Sequence, residues 1–218
     1  MLIVLEGPEA VGKSTQVRRL LGWLRESGID CLSVREPGGT PAGDKLRQIV
    51  LDPESDLSAR AEALVFMASR AELVDRALRP ALAKKQVVIV DRFFLSTYAY
   101  QIIGRGLDEK DVRAANHLAT AGLVPDLTLL LQLPLAESLG RLERRRAGPD
   151  RMEQASREFH ERVAAAFDSF GSKAWQAAHR ECGPIRPIDA TGSEQQVFDR
   201  LRQAVVDAWP ESFPGQRQ

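Results

Sequence analysis

The chain has 218 residues, 30 basic and 30 acidic side chains and 44% hydrophobic residues, a length that suits one α/β domain with a sizeable core and is short for two. Zero formal net charge supplies no whole-molecule field to draw in nucleic acid or an anionic membrane, so any anion binding must rest on local clusters. The longest apolar stretches are strand length, and Met1-Leu2-Ile3-Val4 lacks the basic region and cleavage site of a signal peptide, so a cytosolic protein with no membrane partner is expected.

The first apolar run, Leu2 to Glu6, leads directly into Gly7-Pro8-Glu9-Ala10-Val11-Gly12-Lys13-Ser14-Thr15, a G-x-x-x-x-G-K-[ST] loop. A helix follows at once, with Val17, Leu20, Leu21 and Leu24 at the spacing of an apolar stripe. Strand, glycine loop and helix in that order are what polyphosphate binding requires. Gly7 and Gly12 let the backbone curl, so that successive N–H groups and the helix N-terminus point at one anion. Lys13 would reach the β- and γ-phosphates of a bound polyphosphate and the Ser14 hydroxyl would ligate Mg²⁺. Thr15 reads as a helix residue near the base.

The second run, Cys31 to Arg35, is followed by the turn-rich Glu36–Gly43, at the carboxyl edge where α/β sheets bind ligands. The third, Val87 to Asp91, is four hydrophobics and then an aspartate, the Walker B arrangement, which would bring that carboxylate beside Ser14 to hold Mg²⁺. Arg92 offers a planar fork to a phosphate, or else makes a surface ion pair. Asp108 reads as a helix N-cap and Gly122 as a stop, with scaffold between them. Runs at Leu127–Leu133 and Ile185–Asp189 complete five strands. Helical patterns alternate with them, which predicts a parallel sheet with helices on both faces.

Between two helices, Arg144-Arg145-Arg146-Ala147-Gly148-Pro149-Asp150-Arg151 reads as a short lid, spanning about 143–153. Its arginines fit charge stabilisation during phosphoryl transfer, and equally a solvated helix end. One domain is expected over 1–208, with a tail over 209–218 that frays. Cys31 and Cys182 fit no metal spacing and read as free thiols; His117, His160 and His179 read as surface residues.

Arg35, Arg47, Arg70 and Arg92 all fall near carboxyl-edge loops or the helices that follow them, which argues for an acceptor that is itself a phosphate and needs no base. A hydroxyl acceptor would need a carboxylate base, for which Glu36 is the candidate. A guanine-specific switch would need Asn-Lys-x-Asp, and the only asparagine, Asn116, precedes His117.

These segments together resemble the bacterial thymidylate kinases, from Leu5-Glu6-Gly7 to Ile188-Asp189-Ala190-Thr191. Besides the phosphate loop, the similarity lies in Arg35-Glu36-Pro37-Gly38-Gly39-Thr40, Lys45-Leu46-Arg47, Ala61-Glu62 with Phe66 and Ser69-Arg70, Asp91-Arg92 with Leu95-Ser96-Thr97, and Ala99-Tyr100-Gln101. Pro125-Asp126-Leu127-Thr128 and Asp150-Arg151-Met152-Glu153 continue it. The resemblance implies the three-layer P-loop nucleoside monophosphate kinase fold, a homodimer, and transfer of the γ-phosphoryl group of ATP to dTMP, giving dTDP and ADP in dTTP synthesis. It implies that Arg92 binds the acceptor phosphate with Arg35 or Arg47 assisting, and that Phe66 stacks on thymine. Arg70 and Gln101 would hydrogen-bond the base edge together with Ser96 or Thr97, and Tyr100 would crowd the 2′ position. Glu9 would contact the acceptor's sugar or phosphate region, through Mg²⁺ or water. Because Glu9-Ala10-Val11 carries no base, the catalytic arginine is expected from the lid, Arg146 first and Arg144 second. Ala190 and Thr191 would lie against adenine. There are three departures from the common pattern: Ala10-Val11 replaces a smaller pair, Phe93 stands where tyrosine or histidine is more usual, and Gln132 stands where aspartate is frequent.

Overall fold

Each of the five apolar runs forms a strand in a computed structural model that describes residues 1–143 and 151–213. The strands β1 (Leu2–Glu6), β2 (Cys31–Arg35), β3 (Val87–Asp91), β4 (Leu127–Gln132) and β5 (Ile185–Asp189) make one sheet in the order β2-β3-β1-β4-β5. All four pairings are parallel. The register sets both Leu5 and Arg35 opposite Asp91. The carboxyl ends of β1, β2 and β3 therefore discharge their loops into one crevice, as the strand-end rule for open α/β sheets requires.

The inner strands lack polar alternation because both faces are covered. On one face Leu2, Val4, Val88 and Val90 pack with Leu73, Phe93, Tyr98, Phe159, Phe167 and Phe170. These come from α3 (Ala59–Leu73), the turn before α5 (Phe94–Thr97), a π-helical stretch at Tyr98–Gly104, and α8 (Arg157–Phe170). A second π-helical stretch, Val74–Leu78, joins α3 to α4 (Arg79–Ala83). On the other face Ile3, Leu5, Ile89, Leu129 and Leu131 meet α1 (Lys13–Glu26) and α10 (Glu194–Ala208). The expected stripe on α1 holds at Val17, Leu20 and Leu24, and Leu21 is half-buried. Outside lie α2 (Pro41–Leu51), packed on α3, and α6 (Glu109–Thr120), also against α3. The remaining α-helices among the described residues are α7 (Leu135–Glu143) and α9 (Lys173–Ala178).

The helix starts follow local chemistry. Ser58, Ser156, Ser172 and Ser193 each accept a first-turn backbone N–H, and Asp108 caps α6 as expected. Helix α6 ends with Ala121 left-handed at φ 47°, just before Gly122. Both cysteines are free.

Two expectations need correction. The tail does not fray through its described part: Phe213 is buried and stacks on Trp23 at 4.8 Å, so the chain beyond α10 adds to the core on the α1 face. His179 is not a surface residue. Its ring stacks on Trp175 at 4.0 Å and sits edge-on to Tyr98, leaving it buried, whereas His117 is exposed.

Candidate active site

A cavity of about 480 Å³ opens at the carboxyl edge of the sheet. Its phosphate side is Glu9, Ala10, Val11, Gly12, Lys13, Ser14 and Thr15, with Asp91. The loop reaches this position because Gly7, at φ 143°, passes so close to β4 that a Cβ there would collide with the Leu131 carbonyl oxygen. Gly12, at φ 97°, turns the chain into α1 in the left-handed region that favours glycine. Lys13 Nζ donates to the carbonyls of Gly7 and Pro8 at 2.9 and 2.7 Å, bracing the loop from within. Burial and the nearby Arg92 lower the Lys13 ammonium, against the pull of Glu9, Asp91 and Glu6, to about 8. Ser14 Oγ donates to Asp91 Oδ2 at 3.2 Å. This pair of hard oxygen donors fits a magnesium ion, which keeps its other positions for phosphate and water.

The acceptor side of the cavity is Arg35, Glu36, Arg47, Phe66, Arg70, Arg92, Ser96, Thr97, Tyr100 and Gln101. Arg92 has φ 73°, left-handed for a non-glycine residue, a conformation costing about 1–3 kcal/mol that surrounding contacts must hold. Those contacts are present: its guanidinium donates to Gly7 O, Ser96 Oγ and Glu9 Oε1 and lies over the Tyr100 ring. The Tyr100 hydroxyl also donates to Glu9 Oε1, at 2.8 Å. Burial pushes the Glu9 carboxyl up, but Arg92, Lys13 and the two hydrogen bonds outweigh it and bring it down to about 2.

Arg70 is placed differently from the base-edge role expected of it. Its Nε and Nη2 donate to Glu36 Oε2 at 2.8 and 2.6 Å, Nη1 to Thr97 Oγ1 and Asn116 Oδ1, and Nη2 also to Phe93 O. All five guanidinium N–H donors are thus taken by protein acceptors. Arg70 is 3% exposed and lies over the Phe93 ring. In this arrangement it supports the wall and has no donor left for a ligand, and Thr97 Oγ1 serves as its acceptor. Burial raises the Glu36 carboxyl in spite of Arg70, and Glu36 Oε1 is buried with no partner among the described residues.

Other expected residues lie nearby or outside. Arg47 Nη1 donates to Pro37 O at 3.0 Å. Ala190 is buried after β5, its N–H on Gln132 O, and Thr191 bonds Asp189 Oδ1; neither lines the cavity. The lid arginines Arg144 and Arg146 lie outside the described residues.

Several participants carry no role assigned from the sequence. Glu6, fully buried, accepts the N–H groups of Phe93 and Ser96 and the Ser96 hydroxyl, and so fixes the turn after β3. Its signal was a carboxylate closing a buried strand, which needs partners. Glu62 and Asn116 act from the interior, and Arg141, Met152 and Glu153 complete the rim.

The sheet order, the braced phosphate loop and Asp91 facing an arginine-lined second pocket define a P-loop kinase of the nucleoside monophosphate type. The family model described as thymidylate kinase matches residues 5–180. A thymidylate kinase of Synechococcus sp. (strain JA-2-3B'a(2-13)) is 46% identical over 217 residues, covering 99% of this chain and 98% of its own. Those of Rhizorhabdus wittichii and Deinococcus radiodurans are each 42% identical, covering 95% of this chain and 98% and 97% of theirs. The chain belongs to the thymidylate kinase family.

Proposed function

We infer that the protein transfers the γ-phosphoryl group of ATP to dTMP, giving dTDP and ADP, in dTTP synthesis. The observation that carries this reading is one cavity holding both a phosphate loop with Asp91 and an acceptor wall of Arg35, Arg47 and Arg92, in a member of this family. Lys13 and the loop amides hold the triphosphate. Arg92, fixed in place by Glu9, Ser96 and Gly7, takes the acceptor phosphate, which arrives anionic and needs no base. Phe66 and Gln101 receive the thymine, and Tyr100, held by Glu9, crowds the sugar's 2′ position, by resemblance to the family. Ser14 and Asp91 would hold Mg²⁺, which when bound neutralises developing phosphate charge. Arg146 and Arg144 supply cationic charge to the transferring group by resemblance to the family.

A coupled ADP-release assay with ATP and Mg²⁺ across dTMP, dUMP, UMP, dCMP, dGMP, AMP and thymidine tests the reading. Strong preference for dTMP is expected; preference for thymidine, or inactivity on every acceptor, would overturn it.

The protein acts as a homodimer in the cytosol. Exposed Ile49, Leu64 and Leu118 on the adjoining helices α2, α3 and α6 support a dimer face, and sedimentation velocity showing monomer alone would refute it. Two free thiols accord with a reducing compartment, and no helix among the described residues is long and apolar enough to cross a membrane.

A further inference from the structure

Beneath the base end of the cavity lies a carboxylate that the proposed chemistry does not use. Glu62, on α3, is fully buried. Its Oε2 accepts from Arg151 Nη2 at 2.7 Å and Arg105 Nη2 at 2.9 Å, and its Oε1 accepts from Gln101 Nε2 at 3.1 Å. Arg151 is itself tied down, its backbone N–H on Leu51 O and its Nε on Val50 O. Arg105 lies over the Phe159 ring at 4.7 Å. Two anchored guanidiniums therefore hold Glu62 in one position as an acceptor-only group.

That has a consequence for Gln101, which is 3% exposed and lines the cavity. A carboxamide beside a carboxylate must turn its NH₂ toward it; the flipped orientation would set two oxygens against each other. One Nε2–H is spent on Glu62, and the second Nε2–H and Oε1 have no partner among the described residues. Together they form a donor and an acceptor side by side, the complement of an imide edge, where a ring N–H adjoins a carbonyl. Thymine and uracil carry that edge. Cytosine presents the reverse pattern, an unprotonated ring nitrogen beside an amino group, and would need the flipped carboxamide that Glu62 forbids.

We propose that Glu62 is the positioning residue that fixes the Gln101 carboxamide and thereby restricts the acceptor to imide pyrimidines, rejecting cytosine nucleotides. The proposal rests on reading this cavity as the thymidylate site. Replacing Glu62 by glutamine removes the constraint, because a neighbouring amide can meet either orientation of Gln101.

The test compares kcat/KM for dTMP and dCMP in the wild type, Glu62→Gln and Gln101→Leu, with Tm followed for each. The dTMP:dCMP ratio of Glu62→Gln should fall about 10- to 100-fold, the worth of a hydrogen bond to a charged group. Part of that fall should be a rise in dCMP turnover, which mere structural damage would not produce. Gln101→Leu should also lose the preference. A Glu62→Gln ratio equal to wild type, with preference lost in Gln101→Leu, overturns the role of Glu62 and leaves the site reading standing. An unchanged ratio in Gln101→Leu overturns the base-reading role itself. Should Glu62→Gln not fold, side-chain amide NMR of the wild type decides: one Gln101 Nε2 proton protected from exchange before and after dTMP addition supports the proposal, and rapid exchange of both overturns it.

Discussion

Glu9 and Arg92, 83 positions apart in the chain, close a 2.7 Å ion pair that joins the phosphate loop to the turn after β3. The acidic loop residue thus spends its charge on the arginine that faces the acceptor. Its carboxyl is held at about 2, below the ordinary 4.5, so the folded state binds the proton less tightly than the unfolded chain. The resulting stabilisation is present above pH 4.5 and disappears as pH falls toward 2. Glu9→Gln should cost on the order of 2 kcal/mol at neutral pH, the difference shrinking through that window. Urea unfolding of both proteins at a series of pH values checks this, and a pH-independent difference would contradict it.

Lys13 is poised for a proton-linked binding step. With its ammonium lowered to about 8, a share of the chain carries it neutral in mild alkali, and an arriving triphosphate restores the charged form. ATP binding at about pH 8.5 should therefore take up a proton, and affinity should drop about tenfold between about pH 7 and about pH 9. Calorimetry in two buffers of different ionisation heat measures the uptake. Identical heats would refute it, and Lys13→Ala should abolish the linkage.

Arg70→Ala removes a cation that pairs with Glu36 Oε2 and donates to Thr97, Asn116 and the Phe93 carbonyl. A buried carboxylate left without its partner predicts a loss of about 3–5 kcal/mol in folding stability. Adding Glu36→Gln should recover part of that loss, since the two residues are coupled. Chemical denaturation of the single and double variants decides; a loss below about 1 kcal/mol for Arg70→Ala would mean that the guanidinium is not structural.

Arg146→Ala should lower kcat by about 10²- to 10³-fold while leaving dTMP binding nearly unchanged, the pattern of a group acting on the transition state. Steady-state kinetics with a separate equilibrium dTMP titration separates the two effects. Unaltered turnover would move the catalytic charge to Arg144 or elsewhere.

Much of the sheet was legible because its inner strands are unbroken runs such as Val87-Val88-Ile89-Val90, a pattern that burial on both faces enforces. The phosphate loop and Asp91 were legible because their chemistry is local in sequence. Contacts that depend on distant partners were not. Nothing near Glu62 announces Arg151, 89 positions away, and nothing in Ser69-Arg70 tells that every guanidinium donor will meet a protein acceptor. The π-helical stretches at Val74–Leu78 and Tyr98–Gly104 are likewise invisible to a 3.6-residue period. His179 and Phe213 were misread for one reason: a polar ring and a proline-flanked tail look solvated until Trp175 and Trp23 are found to cover them.

The full engagement of Arg70 bears on inhibitor design. A compound whose carbonyl aims at that guanidinium competes with an internal acceptor for each N–H it uses, so its net return there is small. Heterocycles built around a lactam or imide edge, and stacked on Phe66, address instead a donor–acceptor pair on Gln101 that no described residue occupies. Potency in such a series should track the edge offered to Gln101 and be indifferent to acceptors added on the Arg70 side.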